Sequence, residues 1–334
     1  MTTLAQDTGP VFVVGMNGSG TTMLLDCLGR HPALYAFPRE TRLIPYLMAR
    51  VVSFGDLQVD ANFQRLWDQV RELAVFRLTN GDAAVPLPPD WRERPRNLAA
   101  ILDAVFSYFA AREGKSRWCE KTPQHVQHLL ALAGQFPSAR FIHVIRDGRD
   151  CAVSFHRRWR RQPELTVFRW KKVVTAGRAQ GQQVGAGRYL EIRYEDLTAA
   201  PESSLRRICD YLDLPFDAAV LESARPYLQG GDAGGKGGLQ ENSGKWRRYF
   251  SAAKQQRLEQ IAGRTLAECG YATNCPQADA GVPGWQRRYW AGTEALRQYG
   301  REIWRKLNGD LQRPWSEILA KPINALRQRQ HNEY

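Results

Sequence analysis

No two of the six cysteines form a C-x-x-C pair; they lie scattered at Cys27, Cys119, Cys151, Cys209, Cys269 and Cys275. That pattern excludes a disulfide framework and reads as reduced thiols. Histidine and cysteine nowhere take the spacing of a zinc site, so no metal is expected. No apolar run is long enough to cross a bilayer. The opening MTTLAQDTGP lacks the basic stretch of a signal peptide. The expectation is a cytoplasmic protein, with peripheral membrane contact and oligomeric state left open. No internal repeat is present. Acidic residues are in deficit, 34 against 47 basic ones, which leaves a net charge of +13. This favours an anionic partner: a phosphorylated cofactor, nucleic acid, an acidic substrate or a membrane surface. The 43% of hydrophobic residues suffices for a core, and 334 residues suit one large α/β domain with additions, or two domains.

What is present centres on residues 11–28, VFVVGMNGSGTTMLLDCL. Four apolar residues ahead of a glycine predict a strand covered on both faces. Gly15, Gly18 and Gly20 permit a sharp turn and close backbone approach to a ligand. A helix opening at Thr21 then offers free N–H groups and a partial positive charge to a phosphate. Against the nucleotide-binding pattern G-x-x-x-x-G-K-[ST], Gly15 and Gly20 take the glycine positions and Thr22 the hydroxyl position. Thr21 stands where the lysine would be. Without that cation the loop suits a phosphate but not NTP hydrolysis. An Asn17-Gly18 turn between two ordinary elements is the plainer alternative.

Strand and helix signals alternate through the rest of the chain. A second strand is predicted over 34–37, and Glu40, Thr41 and Arg42 fall at the start of a helix after Pro38. Helical spacing runs through 59–80, then through Leu98, Ile101, Leu102, Val105, Phe106 and Phe109. WCEKTP leads through Pro123 into a helix with Val126, Leu129, Leu130 and Ala133. Residues 140–145 predict a strand, followed by RDGRD and a helix carrying Ser154. Residues 189–194 predict another, closed by Tyr194. Glycine-rich residues 230–244 predict a mobile loop, and an Arg/Trp-rich tail shows helical spacing at Leu296, Tyr299, Ile303 and Leu307, with a shorter helix near Ile318. The predicted fold is α/β: a mostly parallel sheet with helices on both faces, P-loop NTPase-like, over 1–274, with a helical C-terminal extension over 275–334.

A loop without its lysine, then ETR, then EKTP, then a strand with RDGRD-x-x-x-S occur in that order. This order resembles the sulfotransferases that use 3′-phosphoadenosine-5′-phosphosulfate (PAPS), over about residues 10 to 270, and ETRLIP is most similar to the tyrosylprotein type. The resemblance implies that Ser19, Gly20, Thr21 and Thr22, with Gly18 beside them, cradle the 5′-phosphosulfate. It implies that Arg146 and Ser154 hold the 3′-phosphate, that Tyr194 lies near it, and that Ser243 and Lys245 form a lid. Glu40 matches the family's base, Arg42 would position the acceptor, and Lys121 would hold charge on the transferring group. Sulfuryl transfer parallels phosphoryl transfer but carries less negative charge, so the missing lysine and the absence of an obvious metal carboxylate agree with it. The implied acceptor is a hydroxyl of a peptide tyrosine, a glycan or a small metabolite.

Some residues carry other readings. Glu40 would also suit a helix N-terminus, Arg146 a structural ion pair with Asp147 or Asp150, and Lys121 a solvated surface. The family's arginine before Ser-Gly-Thr-Thr is Gly18 here; Lys121, Arg39 or Arg42 are its candidate substitutes. His125 follows Lys121 by one turn, as a histidine base would, while His143 on a buried strand reads as a core residue. Basic–aromatic clusters at 156–161, 245–248 and 287–290 suit an anionic cofactor or acceptor; nucleic acid is not expected. A degenerate nucleotide kinase, or a non-catalytic nucleotide- or nucleic-acid-binding protein, is the alternative function.

Overall fold

The computed structural model describes residues 9–222 and 243–307. Its sheet has five parallel strands in the order β2-β3-β1-β4-β5. These are β1 Val11–Gly15, β2 Leu34–Ala36, β3 Arg117–Lys121, β4 Arg140–Ile145 and β5 Tyr189–Arg193. Between them run α1 Thr21–Gly29, α2 Ile44–Arg50, α3 Asp60–Arg71, α4 Ala74–Arg77, α5 Leu98–Arg112, α6 Leu129–Gln135, α7 Gly148–Trp159 and α8 Pro163–Val184. After β5 come α9 Tyr194–Ala199, α10 Pro201–Tyr211 and the short α11 Ala219–Glu222.

The unbroken apolar run of β1 follows from burial on both faces. Phe12 and Val14 enter a core with Phe106 of α5, Trp118, Leu132 of α6 and Phe141. Val11 and Val13 enter another with Leu24 and Leu28 of α1 and Leu205 and Ile208 of α10. All four β1 side chains are fully buried, and each such side chain contributes ~1.5–3 kcal/mol. A third core joins α7 and α8 to helix Ala252–Glu268 through Trp170, Trp246 and Leu258. The terminal helix Gly284–Leu307 docks there through half-buried Trp290. Glu294 pins it, at 3.1 Å from Arg169 Nη1 and accepting from the Gln162 N–H at 3.0 Å. Among the described residues no helix is long and apolar enough to cross a membrane. All six cysteines are free and five are buried.

Several local expectations are corrected. Residues 40–42 do not begin a helix: α2 starts at Ile44, with Leu43 as its N-cap. Arg42 is left-handed (φ 52) and the Thr41 N–H is taken by Glu120, so neither continues a helix. The stretch 59–80 divides into α3 and α4. EKTP begins on an unpredicted strand, β3, whose five residues are all buried although three are charged. Its pattern is masked because Arg117 is satisfied internally, donating to the Gly9 and Leu212 carbonyls. Pro123 opens a 3₁₀ turn, Pro123–His128, ahead of α6 rather than one continuous helix. Tyr194 begins α9 rather than ending a strand. Residues 230–242 and the helix expected near Ile318 lie outside the described residues.

Candidate active site

Open parallel sheets bind ligands at the carboxyl ends of their strands, where the connections diverge. From β1 the chain runs to β2 on one side, and after β3 it crosses to β4 on the other. The loop after β1, Lys121 at the end of β3 and Arg146 just after β4 therefore face one crevice.

The loop is held by its own backbone, with the Ser19 N–H donating to the Met16 carbonyl at 3.1 Å. Gly20 caps α1 in the left-handed region (φ +97). A Cβ there would stand 2.4 Å from the Tyr194 ring, so only glycine lets the loop lie on that ring. Gly18 is also left-handed (φ +84), and a Cβ would meet Phe155 of α7 at 3.2 Å. Thr21 is buried and Thr22 exposed. The Ser19 side chain is buried, and its Oγ has no hydrogen-bond partner among the described residues. Buried hydroxyls are ordinarily satisfied. An unmet one in a glycine-rich turn at a helix N-terminus fits a phosphate or sulfate oxygen.

Arg146 is tied to this loop. Its Nη1 donates to the Gly18 carbonyl at 3.0 Å, and its guanidinium lies 4.5 Å from the centre of the Tyr194 ring. Tyr194 is thus enclosed between Arg146 and Gly20. Asp147 is engaged by Arg149 at 2.8 Å, and Asp150 accepts from the Gly244 and Trp246 N–H groups at 2.6 and 3.0 Å. Ser154 is half-buried on α7, eight positions after Arg146 in sequence. Ser243 is exposed and Lys245 half-buried. Their segment is fastened to α7 through Asp150, and Ser243 borders a separate cleft of about 320 Å³ with Glu195 and Tyr271.

Across the crevice, Glu40, Lys121 and Arg42 come together. Lys121 Nζ donates to Glu40 Oε1 at 2.7 Å. Arg42 donates to Glu40 Oε2 through Nε at 2.7 Å and also through Nη2. Lys121 is no surface lysine: its side chain is 10% exposed, against 64% for Arg42. Glu40 caps no helix, since α2 has no side-chain cap. Burial alone would raise the Glu40 carboxyl, but the hydrogen bonds and charges of Lys121 and Arg42 outweigh it and hold it below the usual carboxylate range.

Four residues hold this group in place, and three of them, Thr41, Glu120 and Thr122, lie within ETR and EKTP without that role being legible there. Glu120 is fully buried at the penultimate position of β3. Its Oε1 accepts from the Thr41 N–H at 3.2 Å, from Thr41 Oγ1 at 2.9 Å and from Thr122 Oγ1 at 2.5 Å. Its Oε2 lies 3.1 Å from His125 Nδ1. The Arg42 N–H in turn donates to Thr122 Oγ1 at 3.3 Å. Burial would raise the Glu120 carboxyl, yet the charge and hydrogen bond of His125, followed by Thr122 and Thr41, hold it below the usual range. His125 therefore belongs to this internal network and is not a solvent-facing base. His143 is a core residue bonded to the Tyr189 hydroxyl at 2.7 Å, and burial pushes its imidazole down to about 3. The one readable signal for Glu120 was its place in EKTP, directly before Lys121.

A model of the sulfotransferase family matches residues 10–218, more than half of the chain. The chain belongs to the sulfotransferase family. It is 25% identical over 221 residues to protein-tyrosine sulfotransferase A of Caenorhabditis elegans, which covers 63% of this chain and 51% of that protein. It is 25% identical over 226 residues to protein-tyrosine sulfotransferase 2 of Gallus gallus, covering 63% and 53%. The chain thus spans about half the length of these curated relatives. Among solved structures, the sulfotransferase domain from the curacin biosynthetic pathway aligns with a TM-score of 0.53 at 20% identity, covering 79% of this chain and 98% of that one. That likeness shows the fold.

Gly20→Ala should lower stability by ~1–3 kcal/mol through left-handed strain and collision with Tyr194, read by denaturant unfolding; an unchanged midpoint would refute the tight loop–ring contact. Glu120→Ala leaves Thr41, Thr122 and His125 without their acceptor and should cost ~3–5 kcal/mol. Because the folded-state carboxyl is depressed, its stabilisation is present above the ordinary glutamate range and is lost as pH falls through the depressed value. A loss under ~1 kcal/mol would show that Glu120 does not organise the loop.

Proposed function

We propose that this chain transfers the sulfuryl group of PAPS to an acceptor hydroxyl, with Glu40 as the base. The observation that carries the reading is the Glu40–Lys121–Arg42 group facing a phosphate loop whose buried Ser19 hydroxyl is unmet. PAPS, when bound, supplies an activated sulfuryl group with adenosine 3′,5′-bisphosphate as the leaving group. Ser19, Thr21, Thr22 and the first N–H groups of α1 hold its 5′-phosphosulfate, as a helix N-terminus holds any such anion. Arg146, aimed at the loop and backed by Tyr194, serves the 3′-phosphate with Ser154. Ser243 and Lys245 close over the nucleotide from the segment that Asp150 anchors.

Glu40 takes the acceptor's proton at a carboxylate oxygen as that hydroxyl attacks. The ion pair keeps the carboxylate charged and in place, ready to accept. Lys121 holds the negative charge that develops on the transferring and leaving oxygens. As the ammonium turns to that charge, Glu40 loses its depressing partner and becomes a stronger base at the moment it is needed. Arg42, mostly exposed and held in a left-handed turn, faces the acceptor side.

Adenosine 3′,5′-bisphosphate should raise the melting temperature well above any effect of ATP or AMP at equal concentration. Equal or smaller stabilisation would sink the reading and favour a nucleotide kinase or a plain nucleotide binder. Glu40→Ala should lower sulfate transfer from labelled PAPS by ~10²–10⁴-fold and leave bisphosphate affinity nearly unchanged. Lost nucleotide binding would instead remove Glu40 from the role of base. Glu40 works as a base only when ionised, so kcat/KM should fall at acid pH with a limb below ~4.3, the ordinary glutamate value. Removing the depressing cation in Lys121→Met should move that limb upward; a limb that stays in place would show that Lys121 does not set the state of Glu40.

A further inference from the structure

The terminal helix Gly284–Leu307 presents two opposed faces. One is docked on the body of the protein. Trp290 packs against the third core, Glu294 accepts from Arg169 and from the Gln162 N–H, and Arg287 lies over the Phe168 ring at 5.1 Å. At about 100° per residue, these positions fall within ~60° of one another. The other face carries Trp285, Tyr289 and Leu296. They fall within ~40° of one another and ~150° round from the docked side, with Trp304 about a quarter-turn further on. These four side chains are 62% to 71% exposed, and among the described residues Val52 is the only other large apolar side chain so exposed. Single exposed apolar residues are ordinary, but a row of them on one helix face marks a contact surface.

Arginines border this stripe. Arg288 lies ~80° to one side of it and Arg297 ~100° to the other, and both are exposed. The helix has six basic residues against two acidic ones, and Glu294 is already committed to Arg169. Arg297 Nη1 donates to the Arg160 carbonyl at 3.4 Å, which joins the helix to the C-terminal end of α7. There Arg157, Arg158, Trp159 and Arg160 are all exposed. Two basic–aromatic clusters that are far apart in sequence thus belong to one surface.

The chemistry of that surface selects its occupant. A second copy of the chain would set these arginines against their own equivalents, and like charges repel. An anionic bilayer meets both features. Trp and Tyr rings settle at headgroup depth, Leu296 enters the acyl boundary, and the arginines pair with lipid phosphates. Helices that lie in the plane of a membrane interface have this make-up: low overall hydrophobicity, an aromatic and apolar stripe, and a cationic polar side.

We propose that the exposed stripe of the terminal helix, with the basic end of α7 beside it, is a docking surface for an anionic lipid bilayer. The face bearing Trp290 and Glu294 stays on the protein, and the stripe enters the headgroup layer lengthwise. This contact is independent of the group transferred at the Glu40–Lys121–Arg42 site.

The test is co-sedimentation of the full chain with vesicles of mixed phosphatidylglycerol and phosphatidylcholine, and with vesicles of phosphatidylcholine alone. The mixed vesicles should bind at least ~10-fold more tightly, and that binding should weaken as salt rises. Tyr289→Ser combined with Leu296→Ser should weaken it by ~10-fold or more. Arg288→Gln combined with Arg297→Gln should weaken it several-fold and flatten its salt dependence. All four side chains are exposed, so each variant should melt close to the parent chain, which checks that it is folded. No binding to either vesicle, equal binding to both, or insensitivity to both pairs of substitutions would overturn the docking surface. So would a concentration-dependent dimer in sedimentation equilibrium that the paired Tyr289 and Leu296 substitutions abolish, since a second copy would then cover the stripe.

Discussion

The arrangement of the site depends on one buried carboxylate. Glu120 stands one residue before the end of β3, an interior strand of the sheet, and its hydrogen bonds reach forward to Thr122 and His125 and across to Thr41. An isolated buried charge costs several kcal/mol, so a fully buried glutamate persists only with its oxygens satisfied. Satisfying them draws the loop between β2 and α2 onto the end of β3. Thr41 is held by the carboxylate, its neighbours Glu40 and Arg42 are thereby projected into the crevice, and Lys121 meets Glu40 there. The internal network and the Glu40–Lys121–Arg42 group use neighbouring residues of the same two segments: Thr41 and Glu120 pair inward, while Glu40 and Lys121 pair in the crevice. On β3 this is strand alternation put to use, since successive side chains point to opposite sides.

The phosphate loop is organised differently, by backbone and packing in place of charge. No lysine stands at Thr21 and no arginine at Gly18. The space beside Gly18 is bounded by Phe155, and a Cβ on Gly20 would strike Tyr194. The cation that touches the loop comes from the end of β4: Arg146 donates to the Gly18 carbonyl itself. The loop is thus shaped by backbone conformation and by a guanidinium brought in from the end of a neighbouring strand. Lys121, which also stood as a substitute for the missing arginine, is committed to Glu40.

Legibility from sequence followed how local each feature is. The loop of residues 15–20 was readable because its turn, its glycines and the following helix are all set by near neighbours. The run of β1 was readable because burial on both faces leaves no polar position in it. β3 was not, because Arg117, Glu120 and Lys121 break the apolar pattern and are satisfied by groups far away in the chain, such as the Leu212 carbonyl. The helix expected at Glu40 failed for a similar reason. Its local propensity was overridden when the Thr41 N–H found a partner seventy-nine positions away. The roles of Thr41, Thr122 and His125 exist only as parts of that network.

Residue order alone determined the α/β class, the lysine-free phosphate loop and the succession of ETR, EKTP and RDGRD, since each is written within a short stretch. Tertiary structure decided that Glu40, Lys121 and Arg42 form one charged group, that Arg146 rather than Arg39 or Arg42 reaches Gly18, and that Glu120 lies beneath them. The physical reason is the parallel sheet. It brings the carboxyl ends of strands distant in sequence to one edge, and the demand that buried polar groups be satisfied then selects which side chains meet there.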